Sequence, residues 1–181
     1  MATEDALVAE VLEEARRRLR APLIVERGEA LLYQVRVSNR LEITVNPKEP
    51  RRGQSAFQTD LAVFEQLDAA TRLPRVVMEF KPGVSTHDLL TYNAKAVLHK
   101  QIYPYRRYGM VVSRESKVPG RAFVHGGSLD FFVAAGAFTK ARLHETLAEL
   151  LEKEVATSRA LESVAFESRT TSVFRRAFDL A

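Results

Sequence analysis

The chain contains no cysteine, which excludes disulfides, thiolate metal sites and a cysteine nucleophile. It has no apolar run long enough to cross a bilayer. Its first residues, MATEDALVAEVLEEARRR, carry acids where a signal peptide needs basic residues and lack an uninterrupted apolar segment. A cytoplasmic protein with no membrane partner is expected. The four histidines, His87, His99, His125 and His144, lack zinc-type spacing and read as surface or satisfied residues. Internal repeats and low-complexity tracts are absent too.

What is present is ordinary in bulk. The 181 residues, 46% hydrophobic and 28% charged, suit one globular domain spanning the whole chain, with room for a substantial core. A net charge of +4 is compatible with a nucleic-acid partner without demanding one. The basic residues cluster at Arg16, Arg17, Arg18 and Arg20, at Lys48, Arg51 and Arg52, at Arg106 and Arg107, and at Arg175 and Arg176. Any one such cluster is more often a solvated face than a binding site.

The unusual stretch is Phe57 to Lys81, FQTDLAVFEQLDAATRLPRVVMEFK. It reads as two strands apolar on both faces, the pattern of strands buried inside a sheet, yet Asp60 interrupts the first and Glu79 and Lys81 close the second. Side chains two apart on a strand share a face, so Glu79 and Lys81 point one way and Phe80 the other. Charges at the end of buried strands are costly unless compensated, and one divalent cation would match two carboxylates.

Around this stretch the pattern predicts a helix over residues 4–20, with Leu7, Val8, Val11, Leu12, Ala15 and Leu19 as its apolar stripe, Thr3 as N-cap and Glu4 inside the stripe. A hairpin is expected from LLYQVRV (31–37) and LEITV (41–45). A proline- and glycine-broken loop follows (46–55), whose Lys48, Arg51 and Arg52 are candidates for phosphate contacts. Ser85-Thr86-His87-Asp88 has the form of a capping box, so a helix should start near Thr86, bury Leu90, Ala94, Val97, Leu98, Gln101 and Ile102, and stop before Pro104. Strand, helix and strand over 76–112 make a βαβ crossover with parallel strands. A second hairpin is expected from AFVH (122–125) and SLDFFVAA (128–135), then a helix from Thr139 to about Ser163. The last residues, with Val173, Phe174 and Phe178, are expected to pack on the core or a second subunit.

In this order the elements resemble the core of the PD-(D/E)XK nuclease superfamily, the restriction-endonuclease-like fold. The carriers are Asp60, then Glu79-Phe80-Lys81, and Gln101-Ile102-Tyr103-Pro104-Tyr105, which is similar to the Q-x-x-x-Y motif of the exonuclease and recombination-nuclease branch. Thr59 stands where the family usually has proline. The resemblance covers residues 4–113 and implies an α/β fold with an αβββαβ core, a mixed central sheet flanked by helices, and an additional hairpin and C-terminal helix over about 120–181. It implies Mg²⁺, with Mn²⁺ able to substitute, held by Asp60, Glu79, the main-chain carbonyl of Phe80 and, as an additional acid, Glu4. Lys81 would orient a water and stabilise the transition state, and Gln101 and Tyr105 would assist.

The implied function is phosphodiester hydrolysis of nucleic acid, with DNA the favoured substrate and Lys48, Arg51, Arg52, Arg106 and Arg107 as candidate backbone contacts. A homodimer fits such an enzyme, since one site cuts one strand. Two other readings stay open: a catalytically inactive nucleic-acid-binding or assembly subunit of the same fold, and a small α/β interaction protein with no nucleic-acid role.

Overall fold

The computed structural model describes residues 4–167, 170–173 and 180. The Thr3 cap and the C-terminal Phe174, Arg175, Arg176 and Phe178 lie outside the described residues. In chain order the elements are α1 (Glu4–Arg18), β1 (Leu23–Arg27), β2 (Ala30–Leu32), β3 (Ala56–Gln58), β4 (Leu61–Gln66), β5 (Arg72–Lys81), α2 (Thr86–Ile102), β6 (Arg107–Val112), α3 (Gly120–His125), β7 (Phe131–Ala134), a 3₁₀ turn (Ala135–Ala137) and α4 (Lys140–Phe166).

Five strands form one mixed sheet in the order β1-β4-β5-β6-β7. The first three pair antiparallel and the last three parallel. The central strands are buried on both faces, as their unbroken apolar runs require. Val76, Met78 and Phe80 pack with α1 and α4, and Val77 with α2, β2 and β3. Each such side chain contributes about 1.5–3 kcal/mol by leaving water. The chain is therefore α/β, with helices on both faces of the sheet. Among the described residues no helix is long and apolar enough to cross a membrane.

The α1 stripe packs as expected, with Leu7, Val8, Val11, Ala15 and Leu19 buried. The capping box at α2 also forms: Asp88 N donates to Ser85 Oγ at 3.1 Å, and Ser85 N donates to the Asp88 carboxylate at 2.8 Å. Crossing by α2 makes β6 parallel to β5. The helix stops at Ile102, just before Tyr103 and Pro104.

Three local expectations are corrected. The hairpin over 31–45 does not form as paired strands. Leu31 and Leu32 belong to a ribbon with Ala56–Gln58, while beyond them only one bridge, Val37 to Ile43, is made. Ser38 takes up the turn's backbone groups, its Oγ accepting from Arg40 N and Glu42 N at 3.1 and 3.2 Å. Val35, Val37, Leu41 and Ile43 are left exposed, because Leu23–Arg27 occupies the sheet edge beside β4 that such a hairpin would need.

The second hairpin is replaced by a crossover. GRAFVH is a short helix starting after Pro119, and β7 lies parallel to β6. Gly109 permits this packing: a Cβ there would run into the Phe131 ring.

Third, α2 is turned about one residue, or roughly 100°, from the expected stripe. Leu89, Tyr92, Ala96 and His99 are buried; Leu90 and Val97 are 51% and 39% exposed, and Ala94 and Gln101 are exposed as well. The small Ala96 faces the sheet between the rings of Tyr92 and His99, and His99 Nδ1 meets the Leu32 carbonyl at 2.9 Å.

Candidate active site

The antiparallel register sets the site. Leu61 pairs with Met78, so Asp60, one residue before β4, falls opposite Glu79. Asp60 Oδ2 accepts a hydrogen bond from Phe80 N at 2.8 Å, which fixes its carboxylate against β5. Glu79 is 2% exposed and accepts from the Tyr108 hydroxyl at 2.6 Å. Burial pushes the Glu79 carboxyl up to about 7, and the neighbouring Asp60 charge pushes the same way; the Lys95 cation and the Tyr108 hydrogen bond pull against them. Two acids packed together in low dielectric cannot both ionise cheaply.

Two more charged groups complete the cluster. Glu4, in the first turn of α1, places Oε1 3.8 Å from Lys81 Nζ. Its carboxyl is raised by burial; the Lys81 charge opposes that shift and the Asp60 charge adds to it. Lys81 also stands 5.8 Å from the Tyr92 ring centroid. Glu79 and Lys81 thus share the α2 side of the sheet, but the ion-pair partner of Lys81 is Glu4.

Among the described residues no three His, Asp or Glu side chains stand close enough to hold a metal ion together. The acids converge as the pair Asp60 and Glu79, with Glu4 drawn to Lys81. A pair suits Mg²⁺, which keeps several waters and binds through one or two carboxylates. The raised Glu79 carboxyl fits as well, because a cation between the two acids would relieve their mutual repulsion.

The other expected residues are placed elsewhere. Gln101 is exposed on the outer side of the last turn of α2. Tyr105 is buried beside Pro74, its ring 5.4 Å from the Arg75 guanidinium. Pro74 is five residues before Glu79 on β5, roughly 16 Å at ~3.3 Å per residue. The Q-x-x-x-Y spacing therefore does not bring these side chains to the carboxylate pair.

Arg106, expected as a backbone contact, is fully buried. Its guanidinium lies 5.1 and 5.8 Å from the Tyr103 and Tyr108 rings, and burial lowers its pKa to about 9. Arg107 is committed to Asp130, at 2.8 Å, and to Glu154. Lys48, Arg51 and Arg52 are exposed on their loop as expected. Lys48, however, borders a cavity of about 170 Å³ against Thr71, Leu73 and Pro74, whereas Arg52 bonds Gln58 Oε1 at 3.0 Å, two residues before Asp60.

His99 departs from the expectation of satisfied histidines: it is fully buried and its Nε2 has no hydrogen-bond partner among the described residues. Sequence reasoning also missed three residues that the fold brings to the pair: Tyr92 and Lys95 on α2, and Tyr108 on β6. The signal that would have found the first two is Leu89-Tyr92-Ala96-His99, which has the same helical spacing as the stripe expected instead.

No protein-family model matches the chain, and no curated protein matches it.

Proposed function

We propose that the chain is a metal-dependent nuclease of the restriction-endonuclease-like fold, using Mg²⁺ or Mn²⁺ to hydrolyse phosphodiester bonds of nucleic acid, DNA first among them. The observation that carries this reading is the pair of carboxylates, Asp60 and Glu79, brought together by the β4–β5 register at the end of a buried sheet. The order α1, β1, β4, β5, α2, β6 supports it: setting aside the β2–β3 ribbon, and with β1 standing where the 31–45 hairpin was expected, it is compatible with the αβββαβ order that the resemblance implies.

Bound metal supplies charge stabilisation on the phosphodiester and lowers the pKa of a coordinated water. Asp60 and Glu79 would hold it, with the Phe80 carbonyl beside them. The N–H of Phe80 keeps Asp60 oriented, and the Tyr108 hydroxyl does the same for Glu79. Lys81 offers an ammonium for the attacking water and for the charge that develops on the oxygens around the pentavalent phosphorus, while Glu4 holds that ammonium at 3.8 Å. Gln101, Tyr105 and Arg106 have no part in this chemistry.

The test is cleavage of plasmid and single-stranded DNA in Mg²⁺, Mn²⁺ or EDTA. Metal-dependent products are expected, reduced at least about 100-fold in Asp60→Asn and Lys81→Ala while both variants melt as folded proteins. Binding that falls steeply with salt but never yields products would replace this reading with a non-catalytic nucleic-acid-binding subunit. Absence of both would remove nucleic acid from the account.

A further inference from the structure

The carboxylate pair has two ammonium neighbours, and the protein holds them differently. Lys81 is tied to Glu4 at 3.8 Å. Lys95, from the inner side of α2, forms no ion pair among the described residues. Its Nζ instead lies 4.7 Å from the Tyr92 ring centroid and 5.5 Å from that of Phe57. Aromatic faces attract and hold a cation without neutralising it. The half-buried ammonium is thus fixed between a helix and the β2–β3 ribbon, and its field reaches Glu79.

A positive charge built into a site of this kind, and held by ring faces rather than in a close ion pair, is free to meet an anion that arrives with the substrate. In a nucleic acid the recurring anion is the backbone phosphate, which lysine recognises as a point charge. Resting on the nuclease reading, we infer that Lys95 is a substrate-binding residue that contacts a backbone phosphate of the strand lying across Asp60 and Glu79. Its role differs from that of Lys81: Lys95 holds the strand, and Lys81 serves the reacting phosphate. Because a phosphate contact carries no base information, the contribution is the same for every sequence.

The experiment compares the full-length chain with Lys95→Gln, Lys95→Arg and Lys81→Ala. It measures binding of a fluorescein-labelled single-stranded DNA 20-mer in Ca²⁺ between 50 and 200 mM salt, steady-state cleavage in Mg²⁺, and thermal melting. Lys95→Gln is expected to raise Kd and KM by about tenfold and to flatten the plot of log K against log salt by about 0.7, the loss of one phosphate contact on a single strand. Lys95→Arg is expected to restore both. In Lys81→Ala the loss is expected in kcat instead.

The inference is overturned if wild-type protein binds and cuts while Lys95→Gln keeps the wild-type Kd and salt slope. It is also overturned if Lys95→Gln weakens binding only in proportion to a lowered melting temperature that Lys95→Arg shares, which would make Lys95 a cation–π clamp between α2 and β3. If wild-type protein neither binds nor cuts the DNA, the nuclease reading fails and the inference goes with it.

Discussion

The two ends of β5 both bury charge, and they do so in opposite ways. Near the start of the strand, Arg75 is 3% exposed and lies between two acids, Glu65 at 2.7 Å and Glu162 at 2.6 Å. Arg159 from α4 also bonds Glu65, at 2.6 Å, and Arg72 pairs with Glu26 and Glu29. Every acid there has a guanidinium. The Glu65 carboxyl is accordingly lowered, first by its hydrogen bond with Arg159. At the far end Glu79 sits beside another carboxylate, has a tyrosine hydroxyl rather than a guanidinium for partner, and is raised to about 7. The same residue type on adjacent strands is satisfied at one end and frustrated at the other. Matched charges fasten α4 to the sheet, whereas mismatched ones leave a deficit of positive charge that a ligand can fill.

The contrast breaks most visibly under truncation. Arg75→Ala leaves Glu162 without its guanidinium and Glu65 with Arg159 alone, and breaking a buried pair whose acid keeps a second partner costs about 3 kcal/mol, the low end for such pairs. Urea denaturation at pH 7 should show a loss of that size. Lys81→Ala at the other end removes only a partly exposed contact with Glu4, 3.8 Å long, so its cost should stay within about 1 kcal/mol. Equal losses at the two ends would mean that the charges of the site contribute to stability as the Arg75 network does.

A pH series sharpens the comparison. In the unfolded chain Glu79 has its ordinary value of 4.5, and in the folded protein about 7. Between those values the folded state retains a proton that the unfolded state has lost. Stability is therefore full below pH 4.5 and declines as pH rises through 7, by on the order of 3 kcal/mol at about 1.4 kcal/mol per unit. Glu79→Gln keeps an acceptor for the Tyr108 hydroxyl and removes the titration. It should be more stable than wild type at pH 8 by up to that amount, and no more stable at pH 4.5. Mg²⁺ at about 100-fold its Kd should stabilise the wild type by about 2.7 kcal/mol at pH 8 and have little effect on the variant. A difference between the two proteins that is the same at both pH values, or a metal effect that survives the substitution, would contradict the mismatch.

Much of the site was legible because its signal is local and costly. Asp60, Glu79 and Lys81 interrupt apolar strands, and few sequences place charges there without a reason. The capping box at Ser85 and Asp88 and the β5–α2–β6 crossover rest on short-range chemistry as well. What failed depended on distant partners. LIVER contains two charged residues in five and becomes β1 only because β4 offers an edge. The alternation of YQVRV and LEITV looked like a hairpin, but that edge was already occupied. On α2 two stripes of similar spacing compete. The more apolar one, with Leu90 and Val97, lies outside, because the inner side takes the small Ala96 and gives His99 Nδ1 a partner in the Leu32 carbonyl of β2. Choosing the apolar stripe brought Gln101 forward and concealed Lys95.

A further effect, as small as that of Lys81→Ala, tests whether the frustrated end is held in place by local structure. Ser85 caps α2 only a few residues after Lys81, and α2 carries both Tyr92 and Lys95. Ser85→Ala removes the oxygen that accepts from Asp88 N, and it also removes the hydroxyl that donates to the Asp88 carboxylate at 2.6 Å. The stability cost should be about 1 kcal/mol, read as a shift in the urea midpoint with unchanged m-value. Because the first turn of α2 would fray on the side nearest Lys81 and Tyr92, amide exchange should quicken over Thr86–Leu89 while the Arg75 network, anchored by α4, keeps its protection. Loosening that spread to β4 and the start of β5 would mean the two ends are one cooperative unit, and that the mismatch of charge at Glu79 is felt throughout the sheet.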